Sequence, residues 1–134
     1  MEEEKLVAWR TIFLLIVAVI LIAGCSQPQQ KGTLYGKVTI GPLCPVEPCN
    51  VPPEQVAQAY FARRLLVYDE SKTKVIQEIK LGNDGSYSAK LNPGTYVVDI
   101  NRLGIDRSAE VPKEITIEAG KSIELNVDID TGIR

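Results

Sequence analysis

The sequence contains no histidine. General acid–base chemistry therefore lacks its commonest side chain, and nucleophilic mechanisms lack the base that usually activates a serine or cysteine. Zinc fares no better, because three cysteines in all cannot complete a four-ligand site of histidine and cysteine. No metal site, no cofactor and no catalytic residue is expected. An excess of one charge is also missing, since 15 Lys and Arg face 17 Asp and Glu. The basic residues are scattered, and a phosphate backbone needs a clustered positive field, so nucleic acid is not an expected partner. Arg63-Arg64 and the Lys72/Lys74 pair read as solvated strand ends. Long apolar runs are scarce too. The one present covers residues 11–24, short of the roughly 20 residues that cross a bilayer comfortably.

What that run leads into is informative. It closes on Ile22-Ala23-Gly24-Cys25 and gives way to the polar stretch Ser26-Gln27-Pro28-Gln29-Gln30. A small residue before cysteine at the end of such a run resembles a bacterial lipoprotein signal peptide with its lipobox. The resemblance implies that residues 1–24 are a signal peptide and that Cys25 is diacylated and becomes the first residue after cleavage. It implies a cell-membrane protein, held through lipid on Cys25 at the extracytoplasmic face. Residues 25–32 then form a flexible tether with Pro and Gly and no apolar anchor. An uncleaved anchor is the alternative. Extending the run back through Leu6 would place Arg10 in hydrocarbon, at a cost of about 3 kcal/mol. Glu2-Glu3-Glu4 makes the start less basic than a signal peptide usually is, which keeps that alternative open.

Two further cysteines stand in Cys44-Pro45-Val46-Glu47-Pro48-Cys49. Once Cys25 is assigned to lipid they form an even pair, and a disulfide is the expected state outside the cytoplasm. The prolines restrict the backbone between them. Four intervening residues do not make a Cys-x-x-Cys redox motif, and no neighbouring Lys or Arg lowers a thiol pKa.

From Leu34 onward the hydrophobic period is two, the mark of half-buried strands. Leu34, Val38 and Ile40 alternate with Tyr35, Lys37 and Thr39; Tyr87, Ala89 and Leu91 alternate with Ser86, Ser88 and Lys90. Tyr96, Val98 and Ile100 alternate with Thr95, Val97 and Asp99, which are expected to point outward. The cleanest stretch runs from Ile123 to Ile129 and reads as one strand. With residues 65–68, 75–79 and 115–117 the count is about seven. Asn83-Asp84-Gly85, Asn92-Pro93-Gly94 and Ala119-Gly120-Lys121 supply turn chemistry between them. Residues 52–60 open with proline followed by helix formers and predict a single helical turn or coil.

Leu34-Tyr35-Gly36-Lys37-Val38, Leu65-Leu66-Val67, Asn83-Asp84-Gly85-Ser86-Tyr87 and the segment from Leu91 to Val98 resemble the carboxypeptidase regulatory-like, or transthyretin-like, domain. The shared pattern is a Gly-x-Val strand, an Asp-Gly-x-Tyr turn and strand, and a Pro-Gly-x-Tyr hairpin. The resemblance covers residues 33–130. It implies an all-β domain at 33–134, a seven-stranded antiparallel Greek-key β-sandwich. It also implies an accessory or protein-interaction role without catalysis; the alternative is a carbohydrate-binding module at the cell envelope. The partner would be an envelope protein or a glycan. Fold alone does not decide between them.

Three motifs invite chemistry and are outweighed by plainer readings. Asp130-Thr131-Gly132 follows an apolar strand as in aspartic proteases, but that mechanism needs two such aspartates sharing a proton, so a turn is expected. Asn83-Asp84-Gly85 lacks the further carboxylates of a calcium loop. Lys37 and Asp128 would have to be buried together to form an isopeptide bond, and the alternation faces both outward. Among the aromatics, Tyr87 and Tyr96 are assigned to the core. Tyr60, Phe61 and Tyr35 form the expected binding surface.

Overall fold

The computed structural model describes residues 2–22, 28–46 and 48–134, with the side chains of 15–22 outside the description. Residues 23–25, on which the expectations of cleavage and lipidation fall, lie outside the described residues. Helix α1 spans Glu2–Ile22. Among the described residues, no helix is long and apolar enough to cross a membrane.

The rest is a two-sheet β-sandwich. Strand β1 covers Gly32–Gly41, helix α2 Pro53–Phe61, β2 Arg64–Asp69, β3 Val75–Lys80, β4 Ser86–Leu91, β5 Gly94–Ile100, β6 Lys113–Ile117, β7 Ser122–Glu124 and β8 Val127–Asp130. Sheet one places β1 between β4 on one side and β7 and β8 on the other; sheet two runs β3-β2-β5-β6. The inward members of the period-two pattern meet between the sheets. Leu34, Val38, Leu65, Val67, Val98, Ile117, Val127 and Ile129 are fully enclosed, each contributing roughly 1.5–3 kcal/mol by leaving water.

Two features of the strands depart from expectation. The stretch from Ile123 to Ile129 is broken into β7 and β8, giving eight strands among the described residues where about seven were expected. Both pair parallel to β1, so the sheet is mixed rather than antiparallel. The break lies opposite Gly36 of β1. Gly36 packs so tightly on Leu125 that a Cβ there would come within 2.1 Å of the Leu125 carbonyl oxygen. The ladder is bridged across the gap instead: Leu125 N–H donates to the Tyr35 carbonyl, and the Lys37 N–H donates to Asn126 Oδ1 at 2.9 Å. In β3, Gln77 faces Val67 and Val75 faces Tyr68, leaving Ile76 as the extra residue of a β-bulge.

The connection from β1 to β2 also differs. Residues 53–61 form a nine-residue helix rather than one turn, with Pro53 in the first turn where no N–H is needed. Before it, Cys44 and Cys49 are joined by a disulfide with their Cα atoms 5.9 Å apart.

The register assigns every turn to one of two ends. Gly32 lies opposite Leu91, and Gly94 opposite Ile117, while Asp69 faces Tyr96. The near end, where the chain enters β1, therefore holds the β2–β3, β4–β5 and β6–β7 turns. The far end holds the disulfide loop, α2, the β3–β4 turn, the β5–β6 connection and the segment after β8.

Candidate interaction surface

The far end is built around an ion pair that the scattered charges of the sequence did not announce. Arg63, read as a solvated strand end, is nearly buried, with its side chain 12% exposed and that of Asp106 2% exposed. Nε and Nη2 donate to the two carboxylate oxygens at 2.8 and 3.0 Å, and Nη1 donates to the Ala59 carbonyl at 3.1 Å. The end of α2 is thereby fastened to the β5–β6 connection. A second correction concerns Asp99. It sits on the outer face of β5 as its alternation requires, yet it is buried, because Lys72 folds back to donate at 2.7 Å and Arg102 donates at 3.2 Å. The Lys72 ammonium lies 5.7 Å from the Tyr68 ring centre.

The segment after β8 is held in the same way. Thr131 N–H donates to the Gly41 carbonyl and its hydroxyl to the Pro42 carbonyl, and Asp130 pairs with Arg107 through backbone hydrogen bonds in both directions. The Arg134 guanidinium and the Gly132 N–H hold the Asp130 carboxyl below the usual carboxylate range. Asp130-Thr131-Gly132 is thus a turn whose polar groups are spent on the fold. Asp84 likewise accepts from the Ser86 hydroxyl and N–H, and it closes the turn in which Gly85 takes φ +82°. Lys37 and Asp128 stay exposed, and Asp128 accepts the Thr39 hydroxyl at 2.6 Å. Among the described residues no group of three or more acidic or thiol side chains is placed to hold a metal ion.

The three aromatics expected to form the binding surface differ in exposure. Tyr60 is half-buried against the core, where a Cβ on Gly85 would lie 2.6 Å from its ring; burial, then the Asp84 charge, raise its hydroxyl pKa. Phe61 is 68% exposed at the end of α2, and Tyr35 is 41% exposed on the outer face of sheet one between Ser88 and Glu124. Sequence reasoning missed other apolar residues at the far end. Ile105 is 64% exposed and covers Gly132, and Leu103, Ile133 and Val46 are also exposed. Phe61 and Ile105 stand close to Arg63 and Asp106 in sequence, so the pair holds the end of α2 to the connection that carries Ile105. Beside them Arg107, Glu110, Asp128, Asp130 and Arg134 line an open groove of about 540 Å³.

No protein-family model matches the chain, and no curated protein matches it. Solved structures do. The chain is similar to GBS52, the minor pilin of Streptococcus agalactiae, at 11% identity and a TM-score of 0.50, over 76% of this chain and 45% of that one. It is also similar to two DUF3823 family proteins. One is from Parabacteroides merdae, at 22% identity and TM-score 0.43 over 76% and 47% of the two chains. The other is from Bacteroides ovatus, at 22% and 0.43 over 72% and 44%. The likeness to the pilin is one of fold, a β-sandwich. The chain spans less than half the length of each of these structures.

Proposed function

We propose that the protein is a lipid-anchored, non-catalytic interaction module at the extracytoplasmic face of the cell membrane. In this reading residues 1–24 are removed, Cys25 carries the lipid, residues 25–32 form the tether, and residues 33–134 are a carboxypeptidase regulatory-like sandwich. The observation that carries it is the lipobox-like Ile22-Ala23-Gly24-Cys25 followed at once by a polar tether. Two structural facts support it. Cys44 and Cys49 are spent on each other, as suits an oxidising compartment. The tether joins the sandwich at the near end, so the exposed apolar residues of the far end face away from the point of attachment. Their partner is another envelope protein.

Expression of the full chain beside Cys25→Ser tests this reading. The wild type is expected in the membrane fraction as a cleaved chain carrying lipid on Cys25, and Cys25→Ser as an uncleaved chain without lipid. Identical chain lengths with no lipid mass in either would refute lipid anchoring.

A glycan ligand is the second reading. Tyr35 favours it, since its ring is exposed on a flat face alongside Ser88 and Glu124. Loss of binding to cell-wall polysaccharide in Tyr35→Ala, with Phe61→Ala unaffected, would select it.

A further inference from the structure

The end of the expected tether is fastened before β1 begins. Gly32 is buried beneath the β6–β7 turn, where a Cβ would lie 2.5 Å from both the Glu118 carbonyl oxygen and Ile117 Cγ2. On either side of it the backbone is tied to the same turn: Gly120 N–H donates to the Lys31 carbonyl at 3.2 Å, and Thr33 N–H donates to the Lys121 carbonyl at 2.8 Å. Gln30 lies over Gly120, so that a Cβ there would come 3.0 Å from the Gln30 amide nitrogen. Gly120 takes φ +71°, a conformation that glycine adopts without strain. The turn is closed on itself by Lys121 N–H donating to the Glu118 carbonyl and by the ion pair of the same two side chains.

We propose that the β6–β7 turn is a clamp on the tether, closed over residues 30–33, which confines the leash between lipid and sandwich to residues 25–29 and shields the Lys31–Gly32 bond from proteolytic release. Lys31 is the sole Lys or Arg among residues 25–32, so a trypsin-like protease can free the sandwich from its lipid only there. Such a protease must draw several residues on each side of the bond into its cleft, and here those residues belong to the clamp and to β1.

The clamp also sets the height of the domain, a consequence that rests on the anchoring of Cys25. Five residue steps from Cys25 to Gln30 reach at most about 18 Å, so the near end stays within that distance of the lipid. The ten residues of β1 add about 33 Å, which puts the far end and the site it meets on a partner within about 50 Å of the bilayer.

Hydrogen exchange and limited trypsin digestion of the full, lipidated chain on phosphatidylcholine vesicles test the clamp. The Gly120 amide is expected to be protected at least about tenfold more than that of Gly104, which is exposed with open space around it. Chains beginning at Gly32 are expected to appear slowly from the wild type and at least about tenfold faster from Gly120→Val, whose side chain displaces Gln30. Gly104→Val brings a comparable backbone strain, at φ +58°, far from the tether and is expected to leave that rate unchanged. Equal protection of the two glycine amides, or equal release from wild type and Gly120→Val, would overturn the clamp. A chain that does not float with the vesicles would overturn the anchor and the height, while protection of the Gly120 amide still decides the clamp.

Discussion

The Arg63 guanidinium grips the Asp106 carboxylate through two parallel hydrogen bonds, and both side chains are largely shielded from water. Forty-three residues separate them. Removing one partner leaves a buried charge without its match, which costs about 3–5 kcal/mol. Asp106→Ala and Arg63→Ala should each lose that much in urea unfolding. The double variant Arg63→Met/Asp106→Leu should lose clearly less than the sum, because it removes both desolvated charges together.

Gly85 is required for two reasons. Its φ of +82° disfavours any side chain, and a Cβ would sit 2.0 Å from the Val38 carbonyl oxygen and against Tyr60. Gly85→Ala is expected to destabilise the domain by on the order of 2 kcal/mol or more. Thermal melting checks it, with Gly104→Ala, where nothing lies within 4 Å, as the milder comparison at another positive φ.

Asp69 makes stability depend on acid. The Lys74 N–H, then the Thr73 hydroxyl, bring its carboxyl from 3.8 down to about 2. A carboxyl lowered by folding adds stability that is fully present above its unfolded pKa and is lost as pH falls through the folded one. The melting-temperature difference between wild type and Asp69→Asn should therefore be constant above about pH 5, shrink below about pH 4 and be lost only as pH falls below about 2. A difference that does not shrink between about pH 4 and pH 2 would show that the turn is held by something other than this charge.

The disulfide closes a short loop, so the chain-entropy model assigns it only about 2 kcal/mol. Cys44→Ser/Cys49→Ser should stay folded, with its unfolding midpoint lowered accordingly. Complete unfolding of the variant would mean that the loop does more than restrict the unfolded chain.

Much of the sandwich was legible in the sequence because the period-two pattern reports burial directly. Leu34, Tyr87, Ala89, Leu91, Val98 and Ile129 all lie in the core as their alternation requires. What stayed hidden depends on partners distant in sequence. The alternation from Ile123 to Ile129 continues through Leu125 and Asn126 without a gap, so nothing local marks the break that falls where Gly36 of another strand packs on Leu125. Nor does alternation reveal the direction of pairing, and β7 and β8 run parallel to β1. Arg63 and Asp99 are charged residues at ordinary surface positions of the pattern; their burial comes from Asp106, Lys72 and Arg102 closing over them. The far-end apolar residues Ile105 and Ile133 lie outside any period, and only the fold brings Ile105 against Gly132.

The mass of the N-terminal peptide of the protein purified from its own membrane tests the account most directly. The expected mass is that of a chain that begins at Cys25 and carries a diacylglycerol group on that residue. A chain that retains residues 1–24 with an unmodified Cys25 would contradict it.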